Sequence, residues 1–250
     1  MTLKIVVLGA LSAVAEATAR LYAEEGAAIV LAGRDAKRLE TVAQDLRVRG
    51  AAAVHVSAFD LAQVDGAAVD GALSDWTAQL GGLDHAILAY GGLGDQPTLE
   101  RDLDAAAQLI DVNFRSAALW SLGIAARLEA QGSGALVVIG SVAGDRGRKS
   151  NHVYGATKAG LAVLVQGIAH RLAGSGARAV VVKPGFIDSP MTAHIPGGRG
   201  LLWAKPDAIA RIVRRAADKG GPVVYAPSFW RLILLVIRVV PAAIFHKTKL

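Results

Sequence analysis

The sequence contains no cysteine among its 250 residues. This absence excludes a disulfide-stabilised scaffold, thiol catalysis, iron–sulfur clusters and zinc sites built on thiolates, and it fits a reducing compartment. Aromatic residues are scarce at 5%, and charged residues reach 19% against 53% hydrophobic residues. This balance excludes a disordered chain and a charged coiled coil, and it indicates a globular protein with a large apolar core.

Long uninterrupted hydrophobic runs are also missing. No stretch has the roughly 18 uncharged apolar residues that suggest a transmembrane helix. Residues 2–8 already have the pattern of a buried strand, so a removable leader is not expected. The sequence therefore predicts a cytoplasmic protein.

Acidic residues are few towards the C-terminal end. Residues 199–250 contain ten Lys and Arg but only two acids, Asp207 and Asp218, although the formal net charge of the whole chain is +6. Basic residues combined with apolar ones suit an anionic membrane surface or a phosphorylated substrate. Nucleic acid is not an expected partner, because no basic helix with interleaved aromatic residues is present.

What the chain does contain is a regular alternation of short apolar runs and longer helical patterns. Continuous runs rich in β-branched residues are typical of strands covered on both faces. Their alternation with helices predicts α/β architecture with a doubly wound, parallel, seven-stranded (Rossmann) sheet. The predicted strands are residues 4–8, 28–32, 53–57, 85–90, 135–139, 177–183 and 222–225. The predicted helices are residues 14–25, 36–48, 63–80, 99–131, 153–172 and 206–219.

We predict one domain over residues 1–227, followed by an apolar and basic amphipathic helix and tail over residues 228–250. From Phe229 to Val240 nearly every residue is apolar, and Arg231 and Arg238 are seven apart and hence near one face of a helix. Such a helix predicts either peripheral attachment to a membrane or a contact in a homodimer or homotetramer. Trp230, Lys247 and Lys249 suit an interface of lipid and water.

The turn after the first predicted strand continues directly into a helix. A dinucleotide fold needs a tight turn here, so that amides at the helix N-terminus hold a pyrophosphate. Gly9 supplies the turn, but alanine replaces two glycines of the usual fingerprint, at Ala13 and Ala15. By itself the turn leaves open a cofactor site or an ordinary β–α connection. The predicted cofactor contacts in it are Gly9, Leu11, Ser12, Ala13 and Val14.

The ends of the second and third strands suggest which cofactor is used. Gly33 stands where an acid would bind the adenosine ribose hydroxyls, and Arg34 follows it. Because a guanidinium suits a 2′-phosphate, we predict NADPH in preference to NADH; the alternative is that Arg34 is a solvated residue at a helix start. Asp60, followed by Leu61, is predicted to accept a hydrogen bond from the adenine amine, or else to cap a helix.

Tyr154 and Lys158 are four residues apart in a helical stretch, so both face one pocket. A nearby ammonium is expected to lower the pKa of the phenol, which then protonates a carbonyl oxygen as hydride reaches the carbon. Ser141 lies at the end of the fifth strand, where a doubly wound sheet places its ligand crevice. Asn113 lies inside a predicted helix, a locally unfavourable place that suggests a site role. No metal is predicted.

Together these residues resemble the short-chain dehydrogenase/reductase family along nearly the whole chain. The resemblance implies that Tyr154 is the acid/base, that Ser141 polarises the substrate carbonyl, that Lys158 binds the nicotinamide ribose and tunes Tyr154, and that Asn113 holds a water of a proton relay. It also implies contacts with the cofactor at Tyr90, Gly91, Pro184, Gly185, Ile187 and Ser189. One departure is Ala89-Tyr90-Gly91-Gly92, where the family commonly has Asn-Asn-Ala-Gly.

Three further segments are similar to those of the decaprenylphosphoryl-2-keto-ribose reductases, which act with a partner oxidase. They are residues 89–96, residues 145–149 and the C-terminal residues 226–247. The resemblance implies reduction of a polyprenylphosphoryl 2-keto-pentose to the arabinose-type alcohol. The alternatives are a reductase of soluble ketones or acyl thioesters and, in another class, a non-catalytic NADP(H)-binding regulator.

The basic loop between Ser141 and Tyr154 is the predicted site of the lipid phosphate. Its alternative roles are a solvated loop or a subunit contact. The predicted substrate contacts are Arg146, Arg148, Lys149 and His194.

Overall fold

The computed structural model describes residues 2–193 and 200–248. Its central sheet has seven parallel strands in the order β3-β2-β1-β4-β5-β6-β9. These strands are β1 Lys4–Leu8, β2 Ala28–Gly33, β3 Ala53–Ala58, β4 His85–Leu88, β5 Gly134–Ile139, β6 Ala177–Pro184 and β9 Val223–Ala226. The strand order reverses between β1 and β4, so the predicted doubly wound sheet is confirmed.

Helices cover both faces of the sheet, which explains the continuous apolar character of the strands. The helices are α1 Ala13–Glu24, α2 Ala36–Val48, α3 Gly66–Leu80, α4 Gln96–Leu99, α5 Leu103–Ile110, α6 Ala117–Gln131, α7 His152–Arg171, α8 Pro206–Lys219, α9 Trp230–Val239 and α10 Ala242–Phe245. One core packs α1, α2 and α8 against the sheet, and the other packs α3, α6 and α7. This arrangement leaves the carboxyl ends of the strands open for a ligand.

The single long helix predicted over residues 99–131 is wrong. The structure divides it into α4, α5, a π-helical segment Asp111–Ser116 and α6. The first break follows from Asp102, whose carboxylate accepts a hydrogen bond from the Ala105 amide (2.9 Å) and starts α5. The π-helical segment contains Asn113, and such single wide turns are often found at functional sites.

The C-terminal segment is also divided. Pro241 separates α9 from α10 because proline lacks the amide hydrogen that a continuing helix requires. No helix in the described part of the chain combines the length and apolar character needed to cross a bilayer.

A small second sheet was not predicted from the sequence. It pairs β7 Phe186–Ile187 with β8 Trp203–Ala204, and the rings of Phe186 and Trp203 stack at 5.1 Å. Two-residue strands are too short to show any alternation of polar and apolar residues. This sheet closes one side of the crevice described next.

Candidate active site

A cavity of about 780 Å³ lies at the carboxyl ends of the sheet strands. It extends from the N-terminus of α1 to the start of α9. Its lining includes the ends of β4 and β5, the first turn of α7 and the loop after β6. Crevices at this edge of a doubly wound sheet are where such folds bind their ligands.

The turn after β1 has the geometry that a pyrophosphate site requires. Gly9 has a φ of +80°, and a Cβ there would lie 2.6 Å from the Cβ of Tyr90. The Ser12 hydroxyl accepts a hydrogen bond from the Ala15 amide (3.2 Å) and caps α1. The next amides therefore begin the helix at the cavity wall, where an N-terminus favours anions. This end of the cavity is lined by Leu11, Ser12, Ala13 and Val14.

The two alanines of the turn have different environments. Ala13 lines the cavity, whereas Ala15 is fully buried in the core beneath α1. Only the methyl group of Ala13 is therefore presented to a bound nucleotide. The residues at this end fit a dinucleotide, which the family uses to carry hydride.

The sequence analysis missed a second arginine near the predicted site of a 2′-phosphate. Arg34, which precedes the cap of α2, lies outside the cavity lining, while Arg38 in the first turn of α2 lines the cavity; both side chains are exposed. Between them, the Asp35 carboxylate accepts a hydrogen bond from the Arg38 amide (3.0 Å) and caps α2. Arg34 precedes the cap of α2, so the two arginines do not share a helical face; the available sequence signal was a second arginine in the first turn of the helix that follows β2.

Asp60 and Leu61 are not brought into the cavity lining. Asp60 accepts a hydrogen bond from the Ala62 amide (3.0 Å), and the Leu61 carbonyl accepts one from the Trp120 indole (3.0 Å). Asp60 therefore stabilises a local turn and does not cap a helix, because the residue that caps α3 is Asp65. Its hydrogen bond to an adenine stays a prediction.

Tyr90 and Gly91 both line the cavity after β4. The Tyr90 hydroxyl lies 2.9 Å from the Ser116 hydroxyl, and burial raises the pKa of Tyr90. Gly91 has a φ of +151°, and a Cβ there would lie 2.9 Å from Asn113 Oδ1 and 3.4 Å from Lys158 Nζ. The replacement of the family's usual residues by Tyr-Gly is therefore accommodated by close packing at this loop.

The structure brings the predicted catalytic residues to the same end of the cavity. Ser141 and Tyr154 line it together with Lys158, whose ammonium nitrogen lies 5.9 Å from the centre of the Tyr154 ring. Lys158 is only 5% exposed, and its Nζ donates a hydrogen bond to the Ile139 carbonyl (3.2 Å). The Ser141 hydroxyl accepts a hydrogen bond from the Ala143 amide (3.1 Å).

Asn113 fastens the loop after β4 to the rest of the site. Its Oδ1 accepts a hydrogen bond from the Gly92 amide and its Nδ2 donates one to the Gly92 carbonyl, both at 2.8 Å. Nδ2 also donates to the Thr157 hydroxyl (3.3 Å) on α7. The side chain is therefore a clamp, and its role in holding a relay water stays a prediction.

The pKa values of the catalytic pair differ from the sequence expectation. Burial raises the pKa of Tyr154, and its hydrogen bond with Ser141 lowers it only in part. Burial also lowers the pKa of Lys158 to about 8. The predicted lowering of the Tyr154 pKa by a lysine charge is thus wrong, because desolvation of the phenol raises that pKa instead.

The loop after β6 surrounds the far side of the cavity. Pro184, Gly185, Ile187 and Ser189 all line it. The indole of Trp230 lies against Gly185 so closely that a Cβ there would be 1.9 Å from the indole nitrogen. Trp230 is 4% exposed, so its predicted place at a lipid–water interface is wrong: it is a wall residue of the cavity.

The four predicted substrate contacts have separate environments. The Arg146 guanidinium donates hydrogen bonds to the Ile237 and Val240 carbonyls at the end of α9 and stacks 3.8 Å from the centre of the Phe245 ring. These contacts replace the predicted phosphate contact, because they occupy its donors in joining the loop to the C-terminal helices. Arg148 lines the cavity, and Lys149 is exposed. His194 lies outside the described residues.

Comparison with known proteins decides the family. The profile described as short chain dehydrogenase matches residues 4–199. The chain belongs to the short chain dehydrogenase family.

Relatives and solved structures agree with this assignment. An uncharacterized oxidoreductase of Mycobacterium tuberculosis is 35% identical over 244 residues, covering 97% of this chain and 96% of the relative. The cis-4-hydroxycyclohexanecarboxylate dehydrogenase of Sinomonas cyclohexanicum is 36% identical over 212 residues, covering 84% and 83%. A solved short chain dehydrogenase/reductase family protein matches with a TM-score of 0.76 and 31% identity, covering 90% of this chain and 95% of that one.

The protein is therefore an oxidoreductase that acts on CH–OH or C=O groups with NAD(H) or NADP(H). Its own residues supply a phenol and a hydroxyl at the reacting end and a helix N-terminus at the phosphate end.

We predict that Lys158→Met stabilises the protein without ligands. Folding lowers the Lys158 pKa from 10.5 to about 8, which corresponds to a burial cost of roughly 3 kcal/mol below pH 8. Loss of the hydrogen bond to Ile139 offsets about 1 kcal/mol of the gain. Between pH 8 and 10.5 the unfolded chain keeps a proton that the folded protein releases, so the difference shrinks as pH rises.

Urea unfolding at pH 7 and pH 10 measures this effect. The exposed Lys149→Met is the matched control and is expected to leave the free energy of unfolding unchanged. A Lys158→Met protein less stable than the parent at pH 7, or a difference that grows towards pH 10, contradicts the account.

Proposed function

We propose that the protein is an NADPH-dependent reductase of a polyprenylphosphoryl 2-keto-pentose. The observation that carries this proposal is the position of Trp230. This residue lines the substrate side of the cavity and is also the first residue of α9, whose outer face is apolar. A lipid-linked sugar has the same two parts, a polar group to be reduced and a hydrocarbon chain that needs an apolar surface.

The side chains at the reacting end suit proton delivery to a carbonyl oxygen. When bound, the nicotinamide supplies the hydride. The Ser141 hydroxyl donates a hydrogen bond to the substrate oxygen, and the buried Tyr154 phenol gives that oxygen a proton. A raised pKa keeps Tyr154 protonated at neutral pH, which suits the direction of reduction. Lys158, charged below about pH 8, stabilises the phenolate that remains.

At the end of the cavity near the start of α2, arginine side chains support NADPH as the cofactor. Arg34 lies just before the cap of α2, and Arg38 in the first turn of that helix lines the cavity. A guanidinium pairs with a phosphate by charge and by two parallel hydrogen bonds. No acid replaces Gly33 at the end of β2, so nothing at that position repels a 2′-phosphate.

The outer face of α9 supports attachment to an anionic lipid surface. Leu232, Leu235 and Val239 are 66%, 58% and 72% exposed, and they repeat at helical spacing along one face. Arg231 and Arg238 are exposed on the same helix, and the sequence has no acid after Asp218. Apolar residues bordered only by cations are typical of helices that lie on anionic membranes.

A second candidate function comes from a characterised relative. The dehydrogenase of Sinomonas cyclohexanicum is named for a ring alcohol that carries a carboxylate. A small cyclic keto acid would occupy the same cavity without any lipid chain. The two candidate substrates differ in the negatively charged group that accompanies the carbonyl: a phosphate that links the sugar to a lipid, or a carboxylate on a small ring.

Oxidation of NADPH by the purified protein tests the proposed function. In mild detergent with a polyprenylphosphoryl 2-keto-pentose, we expect turnover with NADPH and about tenfold or more lower kcat/KM with NADH. Arg38→Gln is expected to raise the KM for NADPH but not for NADH, and the exposed neighbour Lys37→Gln serves as control. Turnover of 4-oxocyclohexanecarboxylate alone would favour the second candidate, and equal use of both cofactors would overturn the role of Arg38.

Sedimentation with vesicles tests the attachment through α9. We expect the protein to bind phosphatidylglycerol vesicles and not phosphatidylcholine vesicles, and the triple variant Leu232→Ser, Leu235→Ser, Val239→Ser to lose binding. The control is Val48→Ser, at a position that is 88% exposed on α2. Unchanged binding by the triple variant contradicts the proposal. A triple variant that changes only the oligomeric state shows that a second copy covers this face.

A further inference from the structure

Three polar groups in the wall of the cavity have no hydrogen-bond partner among the described residues. They are Nε and Nη2 of Arg148, Oδ1 of Asn151 and the indole nitrogen of Trp230, and each of these atoms is shielded from solvent. All three residues line the cavity. Buried polar groups are almost always paired in folded proteins, so an unpaired set in the wall of one cavity points to a ligand with complementary polar atoms.

The charge on Arg148 is not neutralised by its nearest acid. The charge of Asp145 acts on Arg148, and the Asp145 side chain is 1% exposed. Its Oδ1 lies 2.5 Å from Lys183 Nζ, and its Oδ2 accepts a hydrogen bond from the Tyr225 hydroxyl (2.6 Å). Both carboxylate oxygens are thus used elsewhere, and Arg148 keeps a buried positive charge.

The other side chains that act on the Asp145 cluster are also basic. Arg231 and Arg238 on α9 act on Tyr225, which bonds to the same Asp145. Arg146, two residues before Arg148, has its donors on carbonyls at the end of α9. Burial lowers the pKa of Arg148, as expected for a cation without a partner. Asp95, an acid in the cavity lining, caps α4 and accepts a hydrogen bond from the Thr98 hydroxyl (2.7 Å), so the charge on Arg148 remains suited to an anion.

The position of the group separates it from the cofactor phosphates. Arg148 and Asn151 belong to the loop between Ser141 and α7, and Trp230 lies against Gly185. The helix N-terminus and Arg38 that suit the nucleotide phosphates are at the opposite end of the cavity lining. An anion held by this loop would belong to the substrate.

We propose that Arg148 and Trp230 bind an oxyanion of the substrate, and that Asn151 Oδ1 accepts a hydrogen bond from an adjacent substrate hydroxyl. We call these three residues the anion subsite. The chemistry it recognises is a phosphodiester or a carboxylate attached to a hydroxylated or carbonyl-bearing ring. This inference rests on the proposed function only in taking the cavity to hold a carbonyl or alcohol substrate, and it holds for either of the two candidate substrates.

A pair of matched ketones tests the anion subsite by kinetics. With NADPH, the unmodified protein is expected to reduce 4-oxocyclohexanecarboxylate with at least about tenfold higher kcat/KM than the uncharged 4-oxocyclohexanecarboxamide. Arg148→Met is expected to lower kcat/KM for the carboxylate by about 10- to 100-fold, mainly through KM, because a charged hydrogen bond is lost. The carboxamide should change less than about twofold.

Two variants control for a purely structural effect. Arg148→Lys keeps the charge and should recover part of the preference for the carboxylate, and the exposed Lys37→Gln should change neither substrate. Calorimetric titration with inorganic phosphate, on protein saturated with NADPH so that the anion site at the start of α1 is occupied, supplies a readout without turnover. Phosphate is expected to bind the unmodified protein and the Lys37→Gln variant but not Arg148→Met.

Each outcome bears on one proposal. The anion subsite is overturned if Arg148→Met lowers kcat/KM equally for the carboxylate and the carboxamide. It is also overturned if Arg148→Met binds phosphate as tightly as the unmodified protein does. Turnover of the carboxylate that depends on Arg148, without turnover of the lipid-linked pentose, supports the subsite and overturns the lipid substrate. If the lipid-linked pentose is turned over and Arg148→Met leaves its KM unchanged, the lipid substrate is supported and the anion subsite is overturned.

Discussion

The buried ammonium of Lys158 is the constraint around which the catalytic end is organised. It has a single described hydrogen bond, to the carbonyl at the end of β5, and little exposure to solvent. Burying a cation in this way is costly, and the cost is visible in its lowered pKa. The same burial raises the pKa of Tyr154 one turn away. A protonated phenol and a cation that titrates near neutral pH are the two groups that carbonyl reduction needs.

Close packing around this pair fixes the neighbouring loops. Gly91 has no room for a side chain between Asn113 and Lys158, and Asn113 bonds to both sides of the Gly92 peptide. On the other side, Trp230 packs on Gly185 in the same way. The start of the C-terminal helix is therefore part of the cavity wall, so residues beyond the sheet influence what the cavity holds.

The sequence predicted the strands well because each is a continuous apolar run covered on both faces. It also located Ser141, Tyr154 and Lys158, since helical spacing and strand ends place them at one edge of the sheet. It failed over residues 99–131, where the Asp102 cap is a local signal that was overlooked, whereas the bonds of Asn113 to Gly92 and Thr157 join residues distant in sequence. It could not show that Arg146 donates hydrogen bonds to carbonyls at the end of α9 while Arg148 lines the cavity, because two arginines in one loop have the same local pattern.

The measurement that tests the account most directly is turnover by Tyr154→Phe with the ketone that the unmodified protein reduces, beside cofactor binding by fluorescence titration. We expect turnover to fall by at least about 10² to 10⁴-fold, because the proton donor is gone. The dissociation constant of Tyr154→Phe for NADPH should stay within about threefold of the unmodified value. The control is Tyr22→Phe, which should keep full turnover, because the buried Tyr22 hydroxyl lies 2.9 Å from His85 and outside the cavity lining. Retention of most turnover by Tyr154→Phe would contradict the assignment of Tyr154 as the proton donor.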